Sequence, residues 1–317
     1  MIGVTSHGDA YRGPRPLQIL QWAILAPLVL SLATRTWYEH EWLAGVLLAV
    51  AALIWLPDLR HGERRWWFIY VAGLFIYTLL RAQADNFLFP IQVGYPIEFD
   101  KVVFGGIEPV VWLQSRFFSP SGVGIFDVVA TQVHWSFFVV PHAMAAAIYI
   151  WRRPMFARYV IMLVAVEFVG LVCFYLVPTA PPWLAAQYGA IGPAYRVMNF
   201  VGGSMDAEMY RTLYSALGEP NSVAAVPSIH MAVTFAGYLW VRRFYPAVAP
   251  LFLAYSGLMA LSLVHLAEHY VFDLLAGVLI AVAVDFVVAR FSGPLHPLAG
   301  KEPIPVQVAS TVHDDID

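Results

Sequence analysis

The stretch "LVHLAEHYVFDLLAGVLIA" (residues 263–281) decides how the chain is read. Its second half is an apolar run. Its first half sets two histidines, a glutamate and an aspartate at the mouth of that run. A second stretch, "AAVPSIHMAVTF" (224–235), has the same form, with proline, serine and histidine ahead of apolar residues. Ionisable groups are expensive at membrane depth and are retained there where they pair or line a site.

The composition points to a membrane. Of 317 residues, 60% are hydrophobic, 15% aromatic and only 12% charged, against about 25% charged in soluble domains. A net charge of −3 gives no electrostatic footprint for nucleic acid. The single cysteine, Cys173, excludes an intrachain disulfide and a cysteine-rich zinc site. It sits inside an apolar run, where a packing thiol is expected. The scarcity of lysine (Lys101 and Lys301 alone) suggests a GC-rich genome, and a bacterial plasma membrane is the expected location.

A bilayer core of about 30 Å takes about 20 apolar residues in a helix. Eight runs qualify or nearly so: 17–34, 41–57, 66–84, 127–151, 157–177, 228–242, 246–267 and 269–290. The fold class is therefore all-α integral membrane, with about eight transmembrane helices. No cleavable signal peptide is evident, so the first run is read as a retained span. Residues 1–65 form an N-terminal tail with two accessory spans, 66–290 a catalytic membrane domain, and 291–317 a polar tail expected to be disordered. Trp37, Trp42, Trp66, Trp67 and Trp151 cluster near span ends, as an interfacial belt does.

The long connections 85–126 and 178–227 fall on one side of the membrane, with the N-terminal ends of the sixth and eighth runs. Most of the eighteen basic residues fall on the opposite side. Loops rich in arginine stay in the cytoplasm. Both termini are therefore expected inside, and both histidine stretches outside.

In "HYVFD", His269 and Asp273 are four apart and share a helical face. The carboxylate holds one ring nitrogen as a donor and leaves the other free to act as a nucleophile. In "PSIH", His230 can protonate a leaving group. Ser228 and the first N–H groups of the following helix can bind an anion.

The pair "PSIH" and "HYVFD" resembles the second and third signature motifs of the type 2 phosphatidic acid phosphatase superfamily. "PTAPPW" (178–183), "VPSIH" (226–230), Ser262 ahead of 269–273, and the loop "FDKVVFGGIEPVVWLQ" (99–114) are similar to its inositol phosphorylceramide synthase-like branch. The resemblance runs from about residue 75 to 290. It implies a six-helix core and a phosphohistidine route with no metal and no cofactor. His269 would attack phosphorus, Asp273 would hold its ring, and His230 would protonate the leaving oxygen and then deprotonate the acceptor. Ser228 would contact the phosphoryl oxygens. The superfamily's first motif, Lys-x6-Arg-Pro, is missing. The usual arginine six residues before the nucleophile is Leu263, a departure that the branch shares.

The transition state still needs cationic or N–H support. Arg81, Lys101, Arg196 and Arg211 are the candidates on the long-loop face. Arg81 also fits an interfacial arginine, and Arg196 and Arg211 also fit solvated loop charges. "PTAPP" reads as a helix stop and as the rim of a headgroup pocket, with Thr179 touching phosphate. His134, His142 and Glu167, all inside apolar runs, are assigned to structural hydrogen bonding.

The expected substrate is a phospholipid or lipid phosphate. Water as acceptor makes the chain a phosphatase, of phosphatidic acid or a polyprenyl phosphate. An alcohol makes it a phosphotransferase, and the branch resemblance favours transfer of an inositol phosphate-like headgroup. Two other classes compete. "HLAEH" (265–269) matches an inverted zinc-peptidase motif, with His265 and His269 as ligands and Glu268 as base. A proton-relaying transporter also fits eight spans, but the chain shows no related halves.

Overall fold

The computed structural model describes residues 64–83, 89–205 and 222–291, and these are helical with no strand longer than a single bridge. The expected first two spans, Arg211 and the tail from 292 lie outside the described residues. The helices are α1 (Arg64–Gln83), α2 (Gly94–Val103), α3 (Pro109–Phe117), α4 (Ile125–Ser136), α5 (Val140–Trp151) and α6 (Arg153–Leu176). They continue as α7 (Pro182–Gln187), α8 (Val197–Met205), α9 (Ile229–Phe244), α10 (Ala249–His265) and α11 (Val271–Phe291).

Each apolar run between 66 and 290 contains a helix. Among the described residues, α6 and α11 are long and apolar enough to cross a membrane, and α4 with α5 makes a third such element, bent by 41°. Nothing in the continuous apolar run 127–151 marks a break except Pro141. Its ring cannot sit in a helix interior, and here it stands in the first turn of α5. The 16-residue α9 and 17-residue α10 are shorter.

α9 is the central post and packs against α5, α6, α10 and α11. Small residues permit the closest approaches. A Cβ on Gly277 of α11 would fall onto the Ser228 carbonyl, and one on Gly170 of α6 would collide with Ile229. The core is built from Phe156, Tyr159, Leu163 and Val166 of α6 against Val233, Ala236 and Trp240 of α9. Large apolar side chains on the outer faces, Leu251, Leu279 and Phe286 among them, stay exposed, as lipid-facing residues do.

The connections are tied down by specific polar contacts. "PTAPP" begins just after α6 ends and runs between two neighbours. Gln92 N–H donates to Pro178 O at 2.7 Å, and Thr179 N–H donates to Val223 O at 2.7 Å. Gln114, buried on α3, donates through Nε2 to Tyr195 O and to His265 O, each at 2.8 Å, and accepts Tyr195 N–H at 2.8 Å. Asp100 of α2 accepts the N–H groups of Val271 and Phe272, each at 3.0 Å. It therefore caps α11 from another helix and takes two of that helix's orphan donors.

Candidate active site

The N-termini of α9 and α11 meet. Ser228 N–H donates to Asp273 O at 3.0 Å, so the two polar stretches read from the sequence are adjacent in space. Ser228 is the N-cap of α9, with its Oγ accepting Met231 N–H at 3.3 Å. His230 follows in the first turn.

His269 lies just before α11. Its Nδ1 is 3.2 Å from Asp273 Oδ2, and the same oxygen accepts Tyr270 N–H at 2.9 Å. The carboxylate is fully buried, so it is fixed from two sides. With Nδ1 turned to Asp273, His269 presents Nε2 to the other side, where His230 Nδ1 stands 3.4 Å away. The arrangement is carboxylate, imidazole, imidazole in one line, with the middle ring oriented and the outer one in proton-transfer range.

Both histidines line a cavity of about 190 Å³. Drug-sized ligands occupy pockets of about 300–1,000 Å³, so this space suits a polar headgroup rather than a two-chain lipid. Arg81 of α1 and Arg196, from the connection before α8, also line it. Arg196 Nε is 2.7 Å from Glu268 Oε1, and its guanidinium lies 5.0 Å from the centre of the Trp183 ring. Burial pushes the Glu268 carboxyl up, but the Arg196 guanidinium outweighs it and holds the group below the usual carboxylate range. The pair thus holds Arg196 at the cavity wall that the imidazoles also line.

The other sequence candidates are placed elsewhere. Lys101 pairs with Glu108 at 3.0 Å, away from the cavity wall. Thr179 is fully buried, exchanges a hydrogen bond with Tyr95 Oη at 2.8 Å and donates to Val177 O. It is Pro181 and Trp183 of "PTAPPW" that reach the cavity. Arg211 is outside the described residues.

Sequence reasoning assigned His134 and Glu167 to structural hydrogen bonds, and the structure differs. Both are buried and both line the cavity, yet His134 Nδ1 and Glu167 Oε2 have no hydrogen-bond partner among the described residues. The His134 ring lies 4.6 Å from that of His230. His142 does make a structural bond, with Tyr70 Oη. Trp183 Nε1 is a third unpartnered buried atom on the cavity wall. An intramembrane glutamate or histidine is itself a signal of function. What the sequence lacked was the tertiary packing that sets His134 against His230 and brings Glu167 to the same cavity.

The zinc-peptidase reading needs His265 and His269 on one helical face. Instead α10 ends at His265, and Ala267 takes a left-handed conformation with φ 58°. His265 turns to Asp127 of α4 at 2.6 Å, while His269 turns to Asp273.

Comparison with known proteins agrees with the motif reading. The PAP2 superfamily model matches residues 106–286. Phosphoinositol dihydroceramide synthase of Bacteroides thetaiotaomicron is 25% identical over 198 residues, covering 60% of this chain and 64% of that protein. The inositol phosphorylceramide synthase catalytic subunit of Saccharomyces cerevisiae is 30% identical over 112 residues, 34% of this chain and 28% of its own. The Candida albicans inositol phosphorylceramide synthase is 24% identical over 172 residues, 51% and 36% respectively. The matched region spans less than two thirds of the length of each of these relatives. No solved structure matches the chain.

Proposed function

The chain belongs to the PAP2 superfamily, on its inositol phosphorylceramide synthase-like branch, and from that premise we propose that it is a membrane-embedded phosphotransferase. It moves a phosphoryl-headgroup of the inositol phosphate kind from a phospholipid to the hydroxyl of a lipid acceptor. The observation that carries this reading is the chain of contacts from Asp273 to His269 to His230, with both imidazoles lining a headgroup-sized cavity.

His269 Nε2 attacks phosphorus as the bond to the diacylglycerol oxygen breaks. His230 gives that oxygen its proton, and Asp273 stabilises the positive charge on the phosphorylated ring. The acceptor hydroxyl then loses its proton to His230 and attacks phosphorus. The P–N bond breaks, and His269 and His230 return to their starting states. Arg81, Arg196 and the Trp183 indole N–H supply the charge and donors that the developing phosphoryl charge requires. No step calls for a metal.

The test is lipid mass spectrometry of the purified protein with phosphatidylinositol as donor. Added ceramide should give diacylglycerol and a new phosphoinositol lipid in equal amounts, unaltered by a chelator. Release of inositol phosphate regardless of acceptor would make the chain a hydrolase. No turnover of any phospholipid would refute the proposal.

The remaining assignments belong to the same reading. The chain has eight spans, the last six forming the catalytic core, with termini in the cytoplasm and the histidines opening to the extracytoplasmic leaflet. The bias of loop arginines supports this orientation. Single cysteines at Ser121 and Ser292, with Cys173 replaced, check it. An impermeant thiol reagent on intact cells should label the first and spare the second, and the reverse pattern would overturn the topology.

A further inference from the structure

Glu268 directly precedes the nucleophile, and the transfer chemistry above gives it no part. It stands in the turn between α10 and α11 and grips Arg196 with both oxygens, Oε1 on Nε at 2.7 Å and Oε2 on Nη2 at 3.2 Å. The Arg196 and Glu268 side chains are only 16% and 12% exposed. The pair is seated from both sides. The guanidinium lies over the Trp183 ring, and the Trp183 backbone N–H donates to Ala267 O at 3.2 Å, in the turn that carries Glu268. Tyr195, one residue before Arg196, is held by Gln114 through its N–H and its carbonyl. After Arg196, the His134 and His269 rings also bear on the Glu268 charge.

The charge of the cavity follows from this pair. Two arginines, Arg81 and Arg196, and two carboxyl groups, Glu167 and Glu268, line it. Helix α10 adds no cation at the superfamily's arginine position, because Leu263 is fully buried in an apolar cluster with Val110 and Met259. A carboxyl held below its ordinary range is ionised at neutral pH, so Arg196 and Glu268 together carry no net charge. Charges so little exposed are weakly screened, and the cancellation is felt inside the cavity. The guanidinium remains a donor to phosphoryl oxygens. What Glu268 removes is the surplus of positive charge. A phosphomonoester is close to doubly charged at neutral pH, whereas a phosphodiester is singly charged. With Arg196 neutralised, the wall offers at most the charge of Arg81, which matches a diester and falls short of a monoester.

We propose that Glu268 sets the charge class of the donor: by neutralising Arg196 it makes the cavity select singly charged phosphodiester lipids over doubly charged phosphomonoester lipids. This rests on the transferase reading above, which puts the phosphoryl group at His269, and names what that site discriminates.

The experiment measures equilibrium binding by calorimetry to the full-length protein in mixed micelles at about pH 8, where the monoester is fully ionised. All variants carry His269→Ala, so that neither ligand turns over. The ligands are short-chain phosphatidic acid and short-chain phosphatidylmethanol, which differ by one methyl group and one charge. The parent should bind phosphatidylmethanol more tightly. Glu268→Gln should shift the ratio of dissociation constants toward phosphatidic acid by about 10- to 30-fold, the scale for one unit charge at a partly buried site. Arg196→Gln should shift it the other way. The double variant Glu268→Gln, Arg196→Gln restores the charge balance without the ion pair, and its ratio should return to within about threefold of the parent.

Tighter binding of phosphatidic acid by the parent would overturn the proposal. So would an equal change for both ligands in Glu268→Gln, which is the mark of a structural role. A double variant that keeps the ratio of Glu268→Gln would overturn it as well. If Glu268→Gln does not fold, the opposite shift in Arg196→Gln and the return in the double variant carry the same test. Because the readout is binding to a protein without its nucleophile, it holds whether or not transfer to ceramide occurs, which the lipid mass spectrometry decides separately.

Discussion

Replacing His269 with alanine is expected to reduce turnover by at least about 10⁴-fold, the scale on which loss of a covalent nucleophile is felt. His269 is the ring whose Nδ1 is fixed by Asp273 and whose Nε2 looks toward His230. Asp273→Asn keeps the size but weakens the hold on the ring and the support of its positive charge. It should cost about 10²–10⁴-fold. His230→Ala should cost a similar factor but leave the first bond-forming step possible. A labelled donor, rapid quenching and peptide mapping separate these roles. Wild-type protein should carry an acid-labile phosphoryl adduct on His269, and His230→Ala should acquire the same adduct slowly. An adduct on His230, or full activity in His269→Ala, would reverse the assignment.

The second large effect is on stability. Asp127 and His265 are both fully buried, with Oδ1 and Nε2 2.6 Å apart, and Asp127 Oδ2 also accepts Gly124 N–H at 2.8 Å at the start of α4. Asp127→Ala removes both bonds and strands an imidazole in the core. That should cost about 2–4 kcal/mol, from an unpaired buried imidazole together with a lost helix cap. Asp127→Asn, which keeps an acceptor and the volume, should cost less. Unfolding of the purified protein in detergent, followed by circular dichroism, measures the difference. A change below about 0.5 kcal/mol for the alanine variant, the size of an ordinary surface substitution, would show that the pair contributes nothing.

Helices inside the apolar runs were legible because a bilayer-length stretch without charge admits little else. Their ends were legible where chemistry marks them. Ser228 was read as the start of a helix, and "PTAPP" as the end of one. The α4–α5 break was not, since Phe137–Val139 are as apolar as their neighbours and only Pro141 hints at it. His269 and Asp273 were legible because they stand four residues apart, and His230 because it closes the stretch "PSIH". Lys101 and Thr179 were drawn in by charge or motif alone. Their partners, Glu108 and Tyr95, explain them differently. Glu167 and His134 were missed because helices far apart in the chain bring them to one cavity. Asp100 escaped for the same reason, since a cap supplied from another helix leaves no pattern near the residues it caps.

Gln114 has a consequence for how the extracatalytic connections open. Its three hydrogen bonds join α3, the segment around Tyr195 and the last turn of α10. Because one buried amide serves all three, the pieces cannot fray independently: releasing any one leaves polar atoms of the others unpaired. They form a single cooperative unit, of the kind that hydrogen exchange resolves as one opening event. The Tyr195 amide, though it lies outside any helix, is therefore as protected as the helix end to which it is tied.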